Sequence, residues 1–312
     1  MNVRVPPRDR LVDYAFRLGW AVTRHTPEAA GAQVLESAAD RLWQQRGDGI
    51  RQLEANLRRA APDRDEAALR ALSQQAMRSY FRYWHEVFLL PSWTHRRIVD
   101  SVVTTGEDRF RARFDEGGGG IIALPHMGNW DLAGAWACLT GMPVSTVVER
   151  LQPDVLYDRF VGYRTALGME VHPLTGGDNP LSGLRAAIRR GRLVCLVADR
   201  DLSGSGVEVD LLGERARLPA GAAALARITG APLVALTSEY RGPLLRLHFS
   251  DIIEPQSGKD GARAMTQQLA DFYSDAIRRR PEDWHMLQPI FSADLEARDA
   301  VARRQDQESG EL

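Results

Sequence analysis

His126 is the residue best placed to do chemistry. It follows the apolar run Ile121-Ile122-Ala123-Leu124 and Pro125, and it precedes Met127-Gly128-Asn129-Trp130-Asp131. The run reads as a buried strand, and a helix is expected over Asp131–Leu139. A histidine in that turn stands at the carboxyl end of a strand, where open α/β sheets carry their sites. It also stands beside helix N–H groups that lack an intrahelical partner and can stabilise an oxyanion. Gly128, which allows a tight backbone turn, and Asn129 fall in that oxyanion vicinity. An imidazole there can remove the proton from a hydroxyl, which is too weakly acidic to attack unaided at neutral pH. An acid must then hold the ring in one tautomer and stabilise the imidazolium. From spacing alone Asp131 is a candidate. The His-x-x-x-x-Asp spacing is not selective by itself, because it recurs at His95 and Asp100. That copy follows Pro91-Ser92-Trp93 without a strand or a glycine and reads as incidental.

The elements that position His126 divide into two parts. Residues 9–115 read as a helical N-terminal layer, with helices from Thr26-Pro27-Glu28 through Trp43, over Ile50–Arg59 and over Glu66–Leu89. An earlier amphipathic stretch, Leu11–Val22, carries Trp20 and could lie in a lipid interface or pack on the domain. The character changes at Gly117-Gly118-Gly119-Gly120. Strands are expected at Ile121–Leu124, Val144–Val148, Leu193–Ala198, Val207–Leu211, Leu233–Ser238 and Leu244–Phe249. Helices are expected at Asp154–Leu167, Leu181–Arg190, Ala220–Thr229 and Arg263–Arg279. This alternation implies the α/β class, with a mostly parallel central sheet flanked by helices. Tyr240-Arg241-Gly242-Pro243 reads as the turn of a hairpin that adds antiparallel pairing. The chain is read as one domain over 1–312, with a catalytic core at 120–292 and a polar tail at 296–312 expected to fray.

Composition narrows the function classes. The 312 residues carry a net charge of −1, so nucleic acid is not an expected partner. Lys259 is the only lysine among 40 basic residues, and arginine suits phosphate binding as well as GC-rich coding. Cys138 and Cys195 lie in apolar surroundings and imply no disulfide framework, which fits a reducing cytoplasm. Arg4, Arg8, Asp9 and Arg10 rule against a secretory signal, and no apolar run approaches the ~20 residues of a spanning helix. Work at a membrane would therefore be at its surface. No metal is expected, since neither H-E-x-x-H nor H-x-H occurs. Leu202-Ser203-Gly204-Ser205-Gly206 fails the nucleophile-elbow pattern of serine hydrolases. The glycine run precedes a strand rather than following one, so it is not a phosphate loop. A non-catalytic lipid-binding protein would share this shell but has no need of His126.

The block His126-Met127-Gly128-Asn129-Trp130-Asp131 resembles the H-x4-D block of the glycerolipid-type acyltransferases. More narrowly, it resembles the branch holding the lipid A lauroyl/myristoyl acyltransferases and the phosphatidylinositol mannoside acyltransferases. Further blocks agree in order and spacing over roughly residues 10–292. These are Gln52–Leu57, Ala198-Asp199-Arg200-Asp201 with Gly204, Leu212-Gly213-Glu214 through Gly221, and Trp284-His285-Met286-Leu287-Gln288.

The resemblance implies a membrane-surface acyltransferase at the cytoplasmic face of the plasma membrane. It would move a fatty acyl group, palmitoyl, from acyl-CoA to the 6-hydroxyl of a mannose on a phosphatidylinositol mannoside. The alternatives are a lipid A precursor or a lysophospholipid as acceptor. The reaction would run in a ternary complex with His126 as general base, and acyl-CoA would be a co-substrate rather than a bound cofactor. The resemblance points to the second acidic block for the acid paired with His126, which favours Asp199 over Asp131, with an Asp standing where the pattern can have a longer Glu. Residues two apart on an extended chain share a side, so Asp201 joins Asp199 as an acceptor-site candidate. Arg164, Glu149 and His285 are the other residues implied for acceptor binding. Helices around Trp136–Leu139 and Ala220–Ile228 would line an acyl groove.

Overall fold

Three helices come first among the described residues: α1 (Glu28–Gln44), α2 (Asp48–Ala60) and α3 (Glu66–Leu89). This computed structural model describes residues 26–149, 154–173, 180–202 and 204–310. The amphipathic stretch Leu11–Val22 lies outside the described residues. Pro27 caps α1 rather than forming its first turn, a one-residue shift at a helix end. Helix α3 is started by Asp65, whose carboxylate accepts the Ala68 N–H at 2.7 Å.

The helical layer is not helical throughout. After α4 (His95–Asp100) comes a strand, β1 (Val102–Thr105), and then α5 (Glu107–Arg113). Val102-Val103-Thr104-Thr105 is a run of four β-branched residues, which suits a pleated surface better than a helix. It pairs in parallel with a strand from the other end of the chain, Val102 opposite Leu245.

The core follows as β2 (Gly120–Leu124), α6 (Trp130–Leu139), β3 (Val144–Val148), α7 (Asp154–Ala166), β4 (Glu170–Pro173), α8 (Pro180–Arg189) and β5 (Leu193–Val197). A two-stranded ribbon, β6 (Val207–Leu211) and β7 (Glu214–Leu218), stands apart from the main sheet. The chain ends with α9 (Gly221–Thr229), β8 (Leu233–Arg241), β9 (Leu244–Phe249), α10 (Gly261–Arg279) and α11 (Ser292–Gly310). The polar sequence from Glu296, read as a fraying tail, thus continues a helix.

The seven strands lie in the order β1-β9-β8-β2-β5-β3-β4. Neighbours are parallel except β8 and β9, which form the expected hairpin. Two strands in this region escape the sequence reading. β4 is a four-residue edge strand with polar residues and a terminal proline. β7 is set by a turn in which Leu212 (φ 57°) and Gly213 (φ 90°) both take positive φ, the requirement of a type I′ hairpin.

The sheet separates two apolar layers. One packs α8, α9 and α10 over β2, β5 and the ribbon, with Leu184, Leu225, Tyr273 and Phe291 buried. The other packs α6, α7 and the aromatic face of α3 over the opposite side, with Tyr83, Trp136 and Phe160 buried.

Candidate active site

Strand register places the two residues that matter most. β2 and β5 run in parallel with Leu124 opposite Val197, and the Ala198 N–H donates to the Leu124 carbonyl at 2.7 Å. His126 and Asp199 each lie two residues beyond that pair, so they leave adjacent strands side by side at the carboxyl edge of the sheet. Oδ1 of Asp199 is 2.6 Å from His126 Nδ1, and Oδ2 accepts the His126 backbone N–H at 2.9 Å. Trp284 Nε1–H donates to the same Oδ2 at 3.1 Å. Asp199 is fully buried. Burial alone would raise its carboxyl, but the charge and hydrogen bonds of His126, with the Trp284 bond, hold it below the ordinary range. Because a carboxylate can only accept, Nδ1 carries the proton and Nε2 is left as the basic nitrogen.

The turn that carries His126 is held on all sides. Gly128 has φ 59°, and a Cβ there would meet Ser238 Oγ at 2.7 Å and the Ser238 carbonyl oxygen at 2.9 Å. The Gly128 N–H donates to the Asp283 carbonyl at 2.9 Å, and Ser238 Oγ donates to the Met127 carbonyl. The His285 N–H donates to the His126 carbonyl at 2.8 Å. Asn129 caps α6 by accepting the Leu132 N–H at 2.9 Å, and its Nδ2 donates to buried Glu86 at 2.8 Å. Gly128 and the Asn129 side chain, expected in the oxyanion vicinity, are thus engaged in fixing the turn.

Asp131 does not pair with His126. In the first turn of α6 it faces the aromatic layer, where Arg164 Nε donates to Oδ1 at 2.6 Å and Nη2 to Oδ2 at 3.2 Å. Tyr83 adds a hydrogen bond to Oδ2 at 2.9 Å. Spacing alone therefore gives the wrong partner for Asp131: the helix rotates it away from the turn it follows. Arg164, expected at the acceptor, does reach the cavity wall, but its fork is filled by Asp131. Burial opposes its charge, yet the Asp131 carboxylate raises the guanidinium above its ordinary value.

Two cavities adjoin along Trp130, Val147, Arg164 and Val197, and His126 lines the polar one. The polar one is lined by His126, Trp130, Glu149, Arg164, Arg200 and His285, among others. A narrower apolar one runs between α6 and the sheet, past Gly134, Ala137, Cys195 and Val197. Of the stretch Trp136–Leu139, Trp136 and Ala137 line the apolar cavity, whereas Ala222, Ala223, Leu225 and Ala226 of α9 are buried in the opposite layer.

Glu149 follows β3 and accepts from Arg200 Nη2 at 3.0 Å, and Arg200 also bonds Gln288. Asp201 is not on the cavity wall. The chain leaves extended geometry after Val197, so the two-residue alternation fails, and Asp201 accepts the Gly206 N–H at 2.6 Å in its own loop. His285 is buried, lines the polar cavity and rests 5.4 Å from the Tyr80 ring. Its imidazole is driven down to about 3, by burial first and then by the nearness of His126.

Residues to which the sequence reading gives no part in the site complete the frame: Glu86, Tyr240, Ser238, Ser79 and Asp283. Glu86 gathers Asn129, Arg82 at 2.8 Å and Tyr240 at 2.9 Å. Trp284 was singled out only as part of a block, with no role. Among the described residues, no group of three or more His, Cys, Asp or Glu could hold a metal ion, and no helix is long and apolar enough to cross a membrane.

Residues 5–293 match the family model described as bacterial lipid A biosynthesis acyltransferase. The chain is 40% identical over 296 residues to a phosphatidylinositol mannoside acyltransferase of Mycolicibacterium smegmatis, covering 95% of this chain and 96% of that protein. It is 41% identical over 295 residues to the protein of the same name from Mycobacterium tuberculosis, covering 93% and 92%. With a family match over nearly its whole length, this chain is an acyltransferase and belongs to the bacterial lipid A biosynthesis acyltransferase family.

Proposed function

We propose that this chain moves a palmitoyl group from acyl-CoA to the 6-hydroxyl of a mannose in a phosphatidylinositol mannoside. The observation that carries this reading is that the polar cavity lined by His126, the partner of Asp199, adjoins an apolar cavity along Trp130, Val147, Arg164 and Val197. The apolar cavity suits an acyl chain, and the polar cavity suits a sugar headgroup. The names of the similar mycobacterial proteins support the mannoside as acceptor.

In this reading both substrates are bound at once. His126 Nε2 takes the proton from the mannose hydroxyl as its oxygen attacks the thioester carbonyl. The tetrahedral intermediate forms close to the N-terminus of α6 at Trp130, whose dipole favours negative charge. Collapse expels the CoA thiolate, which recovers the proton from the imidazolium. Asp199 stays ionised throughout and stabilises the charged ring. The enzyme would work as a peripheral protein at the cytoplasmic face of the plasma membrane, where acyl-CoA and glycolipid meet.

The family description favours a second acceptor class, a lipid A precursor. Transfer from radiolabelled palmitoyl-CoA to purified phosphatidylinositol mannosides, lysophospholipid and a lipid A precursor separates these readings. Label on the mannoside that vanishes in His126→Ala is the expected result. Label on another acceptor keeps the chemistry and overturns the substrate, and undiminished transfer by His126→Ala overturns the base.

A further inference from the structure

A chain of side chains leads from His285 out of the cavity. His285 Nε2 is 3.0 Å from Ser79 Oγ on α3, and Ser79 Oγ donates to Asp283 Oδ1 at 2.7 Å. Asp283 is buried, and its Oδ2 accepts the Tyr240 backbone N–H at 2.9 Å. Arg280 Nε stands 3.7 Å from the same oxygen. Burial pushes the Asp283 carboxyl upward, but the hydroxyl and N–H donors aimed at it, with a guanidinium beside it, suit the ionised form. The other end of the chain is open. His285 Nδ1 is buried with no hydrogen-bond partner, although the ring lines the polar cavity and its residue is only 6% exposed.

With Asp283 ionised, the proton count along this chain has one solution. A carboxylate can only accept, so the single Ser79 proton goes to Asp283. The Ser79 oxygen must then accept from His285, which requires the ring proton on Nε2. Nδ1 is left with a lone pair and no donor, and an unmet buried acceptor is costly unless a ligand supplies the bond. We propose that Ser79 and Asp283 are positioning residues that fix the His285 proton on Nε2, so that Nδ1 accepts a hydrogen bond from a hydroxyl of the acceptor sugar. This inference rests on the acceptor reading above. It gives the two cavity histidines opposite arrangements: His126 carries its proton on Nδ1 and donates it to Asp199, and His285 carries its proton on Nε2 and donates it to Ser79.

Asp283→Asn tests the assignment almost without a change of shape. The Tyr240 N–H fixes the amide oxygen at the Oδ2 position, so the NH2 group faces Ser79. Ser79 must then donate to His285 Nε2, the ring proton moves to Nδ1, and the cavity gains a donor in place of an acceptor. Nitrogen-15 spectra of histidine-labelled protein, assigned with His285→Gln, read the tautomer without any substrate. The expected result is Nε2–H in the wild type and Nδ1–H in Asp283→Asn. The variant should also show a KM for the phosphatidylinositol mannoside raised about tenfold, the value of one such hydrogen bond, with KM for palmitoyl-CoA unchanged. A wild-type ring protonated on Nδ1 overturns the proposal, as does a flipped tautomer with unchanged acceptor KM. Should Asp283→Asn fail to fold, Ser79→Ala reads the same point. Mixed ring protonation with a raised acceptor KM supports the relay, and an unaltered tautomer and KM oppose it. If transfer goes to a different acceptor, the substrate reading fails while the tautomer result stands by itself.

Discussion

Asp199 holds His126 at two points, the ring through Oδ1 and the backbone N–H through Oδ2, while Trp284 Nε1–H fills Oδ2 further. This geometry makes Asp199→Asn informative. Two N–H donors converge on Oδ2, so the amide oxygen must sit there and the NH2 must face Nδ1. The ring then accepts at Nδ1, its proton moves to Nε2, and the base is lost although the fold is kept. The expected effect is a fall in kcat of roughly 10²–10⁴-fold, with little change in Tm. Near wild-type turnover in this variant would remove Asp199 from the mechanism.

Asp131 and Arg164 form a buried pair whose side chains are 1% and 15% exposed. Removing either partner strands a charge among Tyr83 and Tyr163, at a cost of about 3–5 kcal/mol. Arg164→Ala and Asp131→Ala should each lower Tm strongly, and the double variant should be less damaged than the sum of the two. Arg164→Lys should recover little, because an ammonium cannot repeat the fork. The measurement is a double-mutant cycle by chemical denaturation. Additive losses, or an Arg164→Ala protein of normal stability whose only defect is a raised acceptor KM, would show that Arg164 serves the substrate rather than Asp131.

Asp199 entered as the partner of His126 through the resemblance of its block, and the structure supplies the physical reason: both residues follow apolar strands whose ends parallel register brings together. Glu149, implied by the same resemblance, likewise follows a strand, β3. Strand β1 left a signal, four β-branched residues in a row, that a helical reading of residues 9–115 overrode. Asp131 misled because a five-residue interval says nothing about how far a helix rotates a side chain. The bonds of Ser79 to Asp283, Glu86 to Asn129 and Trp284 to Asp199 span 204, 43 and 85 residues. No periodicity announces such contacts, because they depend on how α3 and the segment after α10 pack against the strand ends.

Ala137 on α6 lines the apolar cavity with Gly134 and Ala133, and these small residues leave the space between the helix and the sheet. A phenyl group at Ala137 would fill part of that space. If it displaces two methylenes of the acyl chain, the loss is about 1.6 kcal/mol, roughly tenfold in kcat/KM. Ala137→Phe should therefore lose about that factor with palmitoyl-CoA and little with a donor short enough to stop before the ring. Competition between donors of different length in one reaction reads the ratio directly. Equal losses for all chain lengths would mean that the acyl chain lies elsewhere.

The buried imidazole of His285 gives the fold a specific acid sensitivity. Its ordinary value of 6.5 falls to about 3 in the folded state, first through burial and then through His126. The sign follows from proton counting. Between those values the unfolded chain binds a proton that the folded chain does not, so stability is complete above about 6.5 and declines as pH falls toward 3. The slope from this one group is at most ~1.4 kcal/mol per pH unit. His85, also lowered by burial, adds to the same limb. Depressed carboxylates such as Asp199, Glu54 and Asp294 contribute as pH falls through their ordinary range, and Asp283, whose carboxyl burial pushes upward, acts in the opposite sense. The difference between wild type and His285→Gln across the window from about 6.5 to 4.5 therefore isolates this one histidine. Urea denaturation across that window should give a shallower acid limb for His285→Gln even if the variant is less stable at pH 7. Parallel limbs would mean that His285 can be protonated without unfolding the site around it.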